Sequence, residues 1–322
     1  MSAPLLAIEN LRVQFARGGG ALPAVRDASL AVQHGECVGI VGESGSGKTQ
    51  MFMAVMGLLA RNARADGSVQ FAGGEILGGT QAALNRIRGS SLTMVFQDPM
   101  TSLTPHLRVG TQLAEVLMRH RRQSRREAER AAQRMLERVR VPDAQRRLRQ
   151  YPHELSGGMR QRVMIGMSLL CEPKLLIADE PTSALDVTVQ AHIIDLLKQM
   201  RAEIGMAIAL ISHDLGVVAG LADRIVVMYG GRVVESGSVH GVIADARHPY
   251  TQGLLACVPD LSAPRLDRMP SIAGQPPDAS SIERGCAFAP RCPRARARCG
   301  AERPVLRAHP EQGHQIACHF PT

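Results

Sequence analysis

The chain of 322 residues contains no tryptophan, and only 3% of its residues are aromatic. Its core must therefore be built from aliphatic residues and methionine, which supply most of its 45% apolar content. The sequence also lacks any apolar run near the roughly 20 residues needed to cross a bilayer. Met1 to Glu9 shows no basic start followed by an apolar block, so no secretory signal is recognised. These absences predict a protein that stays in the cytoplasm.

Acidic residues are outnumbered: 29 Asp and Glu against 38 Lys and Arg leave a formal net charge of +9. A basic balance fits binding to nucleic acid, to anionic lipid or to nucleotide phosphates. Much of the excess is arginine between Arg119 and Arg149. We interpret this run as the solvated face of a helix, with contact to anionic lipid headgroups as the alternative.

Cysteine is scarce, and its seven copies are unevenly placed. Three of them lie alone in apolar surroundings and are predicted to be buried small hydrophobes: Cys37, Cys171 and Cys257. The other four are Cys286, Cys292, Cys299 and Cys318, a grouping that in a cytoplasmic protein favours a metal over disulfides. Their spacing, C-x5-C-x6-C-x18-C, matches neither zinc fingers nor ferredoxins. Spacing alone leaves zinc, a [4Fe–4S] cluster and no metal open.

The order of the apolar segments indicates an α/β protein. Strand patterns over Leu5–Phe15 and Ala28–Val32 flank a glycine turn, and the run Glu36–Val41 leads into a helical pattern over Thr49–Leu59. Further short apolar runs alternate with helical segments, as in a mostly parallel sheet. These runs are Lys174–Asp179, Ala207–Ser212 and Arg224–Met228.

Two segments stand apart from this alternation. Residues from about 98 to 170 are rich in arginine and show helical spacing over Thr111–Val141, which predicts a helical insertion. From residue 259 onward proline recurs, which disfavours long helices. We therefore divide the chain into a domain over 1–258 and a small extension over 259–322 that is rich in Pro, Arg and Cys and has little core.

The strongest motif is Gly42-Glu43-Ser44-Gly45-Ser46-Gly47-Lys48-Thr49, which matches the phosphate-loop pattern in full. Its glycines let successive backbone N–H groups turn toward phosphate oxygens, and the helix that follows adds its positive N-terminal end. Lys48 is predicted to reach the β- and γ-phosphates, and Thr49 to offer its hydroxyl to Mg²⁺. With Gln50, these eight residues form the predicted ATP-binding segment. A loop without a ligand is the disfavoured alternative.

A second motif is an apolar run that ends in adjacent carboxylates, Asp179 and Glu180. Successive side chains of a strand point to opposite faces, so one carboxylate can hold Mg²⁺ while the other polarises the attacking water. Alone, such a pair would indicate a solvated strand end. Together with the complete phosphate loop, it predicts Asp179 as a magnesium ligand and Glu180 as the catalytic base.

A third motif, Leu155-Ser156-Gly157-Gly158-Met159-Arg160-Gln161-Arg162, resembles the signature of the ABC transporter ATPases. The resemblance implies that two ATPase domains pair head to tail. Ser156, Gly157 and Gly158 would then donate N–H groups to the ATP held by the opposite domain. Taken alone, Ser-Gly-Gly would indicate a plain helix cap. Met159 replaces the more general glutamine, a departure common in the peptide-importer branch.

The resemblance covers about Leu5–Val258 and implies a RecA-like parallel sheet core with an antiparallel β-subdomain and a helical subdomain. By the same resemblance, Gln97 contacts Mg²⁺ and the attacking water, Asp186 belongs to the loop that crosses the dimer interface, and His213 lies beside the γ-phosphate. Phe15 falls where the family places an aromatic that stacks on adenine. A position in the core of a strand is the alternative for Phe15.

Two stretches resemble the dipeptide and oligopeptide importer ATPases in particular. They are Gln97–Pro105, where Thr104 replaces a more usual Asn, and His248–Leu255, similar to the start of their C-terminal extension. The cofactors implied are ATP and Mg²⁺. The partners implied are a second ATPase subunit (a paralogue or an identical copy), two transmembrane permeases and an extracytoplasmic substrate-binding protein. The location implied is peripheral, on the cytoplasmic face of a bacterial inner membrane.

The predicted function is ATP hydrolysis coupled to uptake of di- and oligopeptides, with import of nickel or glutathione as alternatives. A soluble ABC ATPase acting on nucleic acid or ribosomes is disfavoured by the single nucleotide domain and the missing coiled coil, so no nucleic acid is expected as a partner. A regulatory subunit without turnover is disfavoured by Glu180 and His213. The resemblance of Cys286–Pro293 to the importer extension favours a [4Fe–4S] cluster over Zn²⁺ at the four clustered cysteines.

Overall fold

A computed structural model describes residues 3–18, 20–98, 102–183, 185–258, 271–277, 284–309 and 313–321. Parts of three predictions fall outside these ranges: residues 99–101 of the importer-like stretch, Ala184 next to Asp186, and several parts of the extension over 259–322. Within the ranges, every helix is too short or too polar to cross a bilayer.

The strands, in chain order, are β1 (Leu6–Arg17), β2 (Gly20–Val32), β3 (Cys37–Val41), β4 (Ala63–Phe71), β5 (Gly74–Glu75), β6 (Leu92–Val95), β7 (Leu175–Asp179), β8 (Ala207–Ile211), β9 (Arg224–Tyr229), β10 (Arg232–Ser238), β11 (Arg307–Ala308) and β12 (Gln315–Ile316).

The helices are α1 (Lys48–Val55), α2 (Gln81–Ile87), α3 (Val109–Arg121), α4 (Arg125–Arg138), α5 (Ala144–Arg147), α6 (Gly157–Leu169), α7 (Val187–Ile204), α8 (Leu215–Leu221), α9 (Val239–Ala244), α10 (Pro249–Ala256) and α11 (Ala297–Ala301). Short 3₁₀ turns cover Pro152–Glu154 and Ala289–Arg291. Two compact units result: the first is Met1–Val32, Cys37–Gly79 and Ser212–Thr322, and the second is Gln33–Glu36 and Thr80–Ile211.

In the first unit, β1 pairs in antiparallel fashion with β2 on one side and with β4 on the other, and β5 pairs with β4. The side chains of β1 that face inward are aliphatic and fully buried; they are Leu6, Ile8, Leu11 and Val13. Register shifts between Ile8 and Val13 mark bulges that bend this long strand. This sheet is the antiparallel β-subdomain predicted from the sequence.

The first unit also contains a mixed set of strands in which β3 runs parallel to β9 and β9 pairs with β10 in antiparallel fashion. The C-terminal extension continues this set, because β12 pairs with β10 and β11 pairs with β12. The extension buries Phe288, Cys299, Ile316 and Ala317. Buried apolar side chains are thus few in the described part of the extension, and this agrees with the prediction that it has little core.

The second unit has three parallel strands in the order β8, β7, β6. All five residues of β7 and all five of β8 are buried, as expected for parallel strands covered on both faces. The helices α3 to α6 lie between Val109 and Leu169, inside the stretch predicted to be helical. Parallel strand pairs are present in each unit and confirm the α/β class predicted from the sequence.

The arginine-rich run forms two helices instead of one. Helix α3 is followed by the C-cap residue Arg122, which has a left-handed φ of 54°, and α4 starts from a capping box between Ser124 and Glu127. That box is visible in the sequence as Ser-x-x-Glu. On α4, the arginines Arg125, Arg126 and Arg130 are exposed, as the interpretation of a solvated helix face requires. The buried side chains of this helix are Ala128, Ala132, Met135 and Leu136.

Candidate functional site

The predicted phosphate loop lies between the buried strand β3 and helix α1, in the first unit. Two of its glycines are demanded by geometry. Gly42 has a φ of 151°, and a Cβ placed there would lie 2.2 Å from the carbonyl oxygen of Met228. Gly47 has a φ of 97°, and its Cβ would lie 2.4 Å from the carbonyl oxygen of Ala24. No other residue type fits this curl without moving the backbone.

Lys48 is 6% exposed and folds back over the loop. Its Nζ donates to the carbonyl oxygen of Gly42 at 2.7 Å, to that of Glu43 at 3.0 Å, and to Oγ of Ser46 at 3.3 Å. An ammonium group held by acceptors at the mouth of a loop can exchange them for phosphate oxygens. Along the same segment, Ser44 and Gly45 are exposed, and Thr49 and Gln50 are half-buried at the start of α1.

The second unit brings two predicted catalytic groups into direct contact. Gln97 follows β6, Glu180 follows β7, and Nε2 of Gln97 donates to Oε2 of Glu180 at 2.8 Å. Asp179, the last residue of β7, is 3% exposed. Glu180 has a left-handed φ of 47°, and its N–H donates to the carbonyl oxygen of Ile211 at 2.9 Å. The left-handed backbone of Glu180 and the side-chain amide of Gln97 together orient the Glu180 carboxylate.

Ser156 is the N-cap of α6, and its Oγ accepts from the backbone N–H of Met159 at 3.3 Å. Gly157, the first helical residue, is exposed, and a Cβ added to it would meet no atom within 4 Å. Gly158 follows and is half-buried. The free first turn of a helix presents N–H groups that suit an anionic group. Ser156 can therefore cap α6 and, as predicted for the signature, the same helix start can bind a phosphate group.

Gln161 anchors this segment, a role that was not predicted from the sequence. It is 3% exposed, and its Nε2 donates to the carbonyl oxygen of Pro181 at 2.7 Å, which ties α6 to the residue directly after Glu180. Ser183 contacts the same segment, because its Oγ donates to the carbonyl oxygen of Glu180 at 3.0 Å. Gln161 and Pro181 lie 20 positions apart, so no local pattern marks their bond, whereas the bond of Ser183 to Glu180 is local.

The remaining predicted residues lie at element ends. Asp186 is the N-cap of α7, and its Oδ1 accepts from the N–H of Val189 at 3.0 Å. His213, in the first unit, is exposed and directly precedes Asp214, the N-cap of α8. Phe15 lies in β1, opposite Leu22 on β2 and Ala63 on β4, and is half-buried, outside the buried core.

The four clustered cysteines, separated by up to 32 positions, line one cavity together with two phenylalanines. They are Cys286, Cys292, Cys299 and Cys318. Burial raises the pKa of the Cys286 thiol to about 11 and also raises the pKa of the Cys318 thiol. In the described part of the chain, no group of three or more His, Cys, Asp or Glu could hold a metal ion.

The cysteines predicted to be buried apolar residues follow that prediction in two cases. Cys37 on β3 and Cys171 after α6 are buried, and burial raises the pKa of the Cys171 thiol. Cys257, directly after α10, is only half-buried. Its position at a helix end exposes part of the side chain, which the apolar neighbours in the sequence did not indicate.

Two family models match the chain. One, described as ABC transporter, matches residues 25–183, and the other, described as the C-terminal region of oligopeptide/dipeptide transporters, matches residues 234–299. The oligopeptide transport ATP-binding protein OppD of Salmonella typhimurium is 51% identical over 99% of this chain and 94% of that relative. OppD of Haemophilus influenzae is 48% identical, covering 92% of this chain and 91% of the relative.

Solved structures of ATP-binding cassettes have a similar fold. The dimeric post-hydrolysis state of the cassette MJ0796 bound to ADP and Pi has a TM-score of 0.66 and 28% identity, covering 73% of this chain and 98% of that chain. The structure of cbiO1 from Clostridium perfringens, part of the ABC transporter complex cbiONQ, has a TM-score of 0.64 and 27% identity. It covers 76% of this chain and 92% of that chain.

Proposed function

This chain belongs to the ABC transporter family, as an ATP-binding subunit of the oligopeptide-importer type, and we propose that its ATP hydrolysis drives peptide uptake through membrane permeases. The observation that best supports ATP hydrolysis is the direct hydrogen bond between Gln97 and Glu180, just after the buried strand β7. Such a pair places a carboxylate base beside an amide that can orient water.

The phosphate loop is the proposed ATP site. Backbone N–H groups of the curl between Gly42 and Gly47 and the N-terminal end of α1 favour phosphate, and Lys48 adds the charge that phosphate oxygens require. Phe15 is proposed to stack on adenine, since a half-buried ring on a sheet has one face available. Thr49, Gln97 and Asp179 are the proposed Mg²⁺ ligands, because each side chain carries an oxygen atom of the kind that Mg²⁺ prefers. The bound ion would neutralise phosphate charge.

Glu180 is the proposed general base that takes a proton from the attacking water. His213 and Lys48 are proposed to stabilise the charge that develops on the γ-phosphoryl group. The signature residues Ser156, Gly157 and Gly158 are proposed to act on ATP held by a second ATPase subunit, either a paralogue or an identical copy, with Asp186 near the same interface. An exposed helix start with room around its first glycine supports that role.

The proposed assembly contains two transmembrane permeases and an extracytoplasmic substrate-binding protein, with this subunit peripheral on the cytoplasmic face of the inner membrane. Identity to oligopeptide transport proteins over nearly the full length supports peptide as cargo, ahead of nickel or glutathione. It also disfavours a soluble ATPase that acts on nucleic acid or ribosomes. We further propose that residues 259–322 form an appendage to a nucleotide-binding domain over 1–258.

We propose that the four clustered cysteines hold a [4Fe–4S] cluster. Their common cavity supports the proposal. In such a cluster each thiolate binds a different iron, so the sulfurs stand farther apart than around a single Zn²⁺. When bound, the cluster would cross-link segments of the extension that are distant in sequence.

The experiment for transport uses the chain assembled with its permeases and binding protein in proteoliposomes. Short peptides should stimulate ATP hydrolysis several-fold, whereas Ni²⁺ and glutathione should not. Stimulation by Ni²⁺ or by glutathione in place of peptides would replace the proposed cargo, and no stimulation by any of them would refute transport coupling.

The experiment for the cysteines is anaerobic purification with iron, sulfide and zinc analysis. About four irons and four sulfides per chain are expected, with visible colour. Cys292→Ser should remove that colour, whereas Cys171→Ser, a buried cysteine outside the cavity, should retain it. A colourless wild-type protein with zinc, or with no metal, would refute the cluster and leave the ATPase assignment in place.

A further inference from the structure

The phosphate loop is held from outside by the C-terminal extension. Arg291, in the 3₁₀ turn Ala289–Arg291, forms a two-pronged ion pair with the carboxylate of Glu43, the second residue of the loop. Nη1 donates to Oε2 at 2.7 Å and Nη2 donates to Oε1 at 3.0 Å. Paired geometry of this kind is the strongest form of a charge-assisted hydrogen bond.

Arg291 is itself fixed on every side. Its side chain is 5% exposed. Nε donates to the carbonyl oxygen of Ala273 at 2.9 Å, Nη2 to that of Ile272 at 3.2 Å, and Nη1 to the hydroxyl of Tyr229 at 3.1 Å. A guanidinium group with this many partners has one position available. The loop carboxylate is therefore bound to a rigid group, and not to a mobile surface arginine.

A second contact reaches the same loop residue. The backbone N–H of Glu43 donates to the hydroxyl of Tyr250, on α10, at 2.8 Å. Tyr250 is fully buried and packs against Tyr229 and Phe288, with ring centroids 4.4 Å and 5.4 Å away. Lys48 donates to the carbonyl oxygen of Glu43. The N–H, the carbonyl and the carboxylate of Glu43 therefore each have a partner.

We propose that Arg291 and Tyr250 are positioning residues for nucleotide binding, through which the C-terminal extension holds the phosphate loop in its ATP-binding shape. Two physical effects act together. The contacts fix the curl before ATP arrives, which reduces the ordering cost of binding. The guanidinium group also neutralises a carboxylate in a loop that must accept negatively charged phosphates. The inference rests on the proposed nucleotide site.

The test is equilibrium binding of the fluorescent nucleotide mant-ATP with Mg²⁺ to the purified full-length chain. Arg291→Gln leaves the Glu43 charge unpaired and should raise the Kd about tenfold, the scale of one charge-assisted hydrogen bond. Tyr250→Phe should raise it about threefold. Arg298→Gln is the matched control, because Arg298 lies in the same extension but forms an exposed pair with Glu302. Its Kd should stay within twofold of wild type.

A double-mutant cycle separates positioning from general damage to the structure. Adding Glu43→Gln to Arg291→Gln removes the unpaired charge, so the double variant should bind more tightly than Arg291→Gln alone. Merely structural damage would make the double variant equal or worse. In ATP hydrolysis, Arg291→Gln should raise KM while kcat at saturating ATP stays within about twofold, since the contacts act before chemistry.

If Arg291→Gln does not fold, Arg291→Lys and the Glu43→Gln/Arg291→Gln pair carry the test, because neither leaves an unpaired buried charge. Arg291→Lys keeps one prong of the ion pair, and the double variant lacks the pair but leaves no charge unpaired. Each should bind mant-ATP about three- to fivefold more weakly than wild type. Wild-type affinity in the folded Arg291 variants would overturn this inference and leave the ATPase assignment intact. A wild-type chain that does not bind mant-ATP would overturn the nucleotide site itself.

Discussion

At the scale of single residues, Glu180 combines a proposed chemical task with a strained backbone. A left-handed φ costs a residue with a side chain about 1–3 kcal/mol, and such positions persist only where the surroundings hold them. Here the strand end, the hydrogen bond to Ile211 and the amide of Gln97 supply the restraint. The strained backbone directs the carboxylate toward Gln97, away from the path that a regular strand would take.

Glu180→Gln should reduce kcat at least a hundredfold, because a neutral amide cannot accept the proton of the attacking water. Binding of mant-ATP should stay within threefold, since the shape of the side chain is retained. Phosphate release and nucleotide binding are measured on the same preparation. Glu137→Gln, on the exposed side of α4, is the matched control and should hydrolyse ATP normally. Normal turnover in Glu180→Gln would show that another group is the base.

Asp27, on β2, is the centre of a small charge network of the first unit. Burial by itself would raise the pKa of its carboxyl group, but hydrogen bonds from three arginines lower that pKa to about 2. The arginines are Arg12, Arg232 and Arg303. Because the folded-state pKa lies below the unfolded one, the network stabilises the fold above about pH 4 and loses that effect as the pH falls toward 2.

Asp27→Asn should therefore be less stable than wild type by about 1 kcal/mol at pH 6, after allowance for the half-exposed Arg12 and Arg303. The difference in unfolding free energy should shrink when urea titrations are repeated at pH 4 and pH 3. Asp66→Asn, an exposed site on β4, is the control and should show a smaller effect. A difference that stays constant with pH would rule out the ionised carboxylate as its source.

At the scale of elements, Gly39 sets how closely α8 packs against β3. A Cβ built at Gly39 would lie 2.2 Å from Cγ1 of Val218 and 3.3 Å from the Cβ of Ala222. No sequence pattern identifies this glycine, because it stands inside an apolar strand with no turn nearby. Its function is to leave room for a helix that begins more than 170 positions later.

Gly39→Ala should lower the unfolding free energy by about 1–3 kcal/mol, the usual cost of forcing an extra methyl group into a packed core. Thermal or urea unfolding measures the loss. Gly74→Ala, in the short strand β5, is the matched control, because its Cβ would meet only ordinary contact at 3.7 Å. Equal stability of the two variants would mean that α8 can shift without cost.

Apolar runs and turn residues in the sequence predicted the helices and strands well where the local conformational propensity and the burial of a segment agree. The strand before the phosphate loop, the helix after it, and the buried strands β7, β8 and β9 lie where the apolar runs placed them. Helix α1, however, ends at Val55 and not at the predicted Leu59. The prediction was too long because the apolar residues on which it was based continue past the last helical turn. The motif residues were identified individually, whereas the hydrogen bonds that aim them, such as that of Gln161 to Pro181, were not.

At the scale of the whole molecule, the C-terminal extension is joined to the rest of the first unit by a buried polar contact. Glu235 on β10 is fully buried and accepts from the backbone N–H groups of Arg247 and His248, at 2.7 Å and 3.1 Å. His314 lies 2.8 Å from the same carboxylate, just before β12. His314 and Glu235 are 79 positions apart, so no local sequence pattern could predict their contact.

His314→Ala should destabilise the protein by about 2 kcal/mol, because a buried carboxylate loses one of its three partners. The urea midpoint and its slope measure the loss. The exposed His240→Ala, on α9, is the matched control and should stay within about 0.5 kcal/mol of wild type. An unchanged midpoint in His314→Ala would mean that β12 does not need this contact.

The ion pair between Glu43 and Arg291 also has a consequence for biosynthesis, because its partners are 248 positions apart. At about 5–20 residues per second, the ribosome adds Arg291 roughly 10–50 s after Glu43. During that interval the nascent chain has its phosphate loop but not the arginine that neutralises the loop carboxylate. The nucleotide site of this subunit therefore matures late in translation, although its loop is among the first segments to be made.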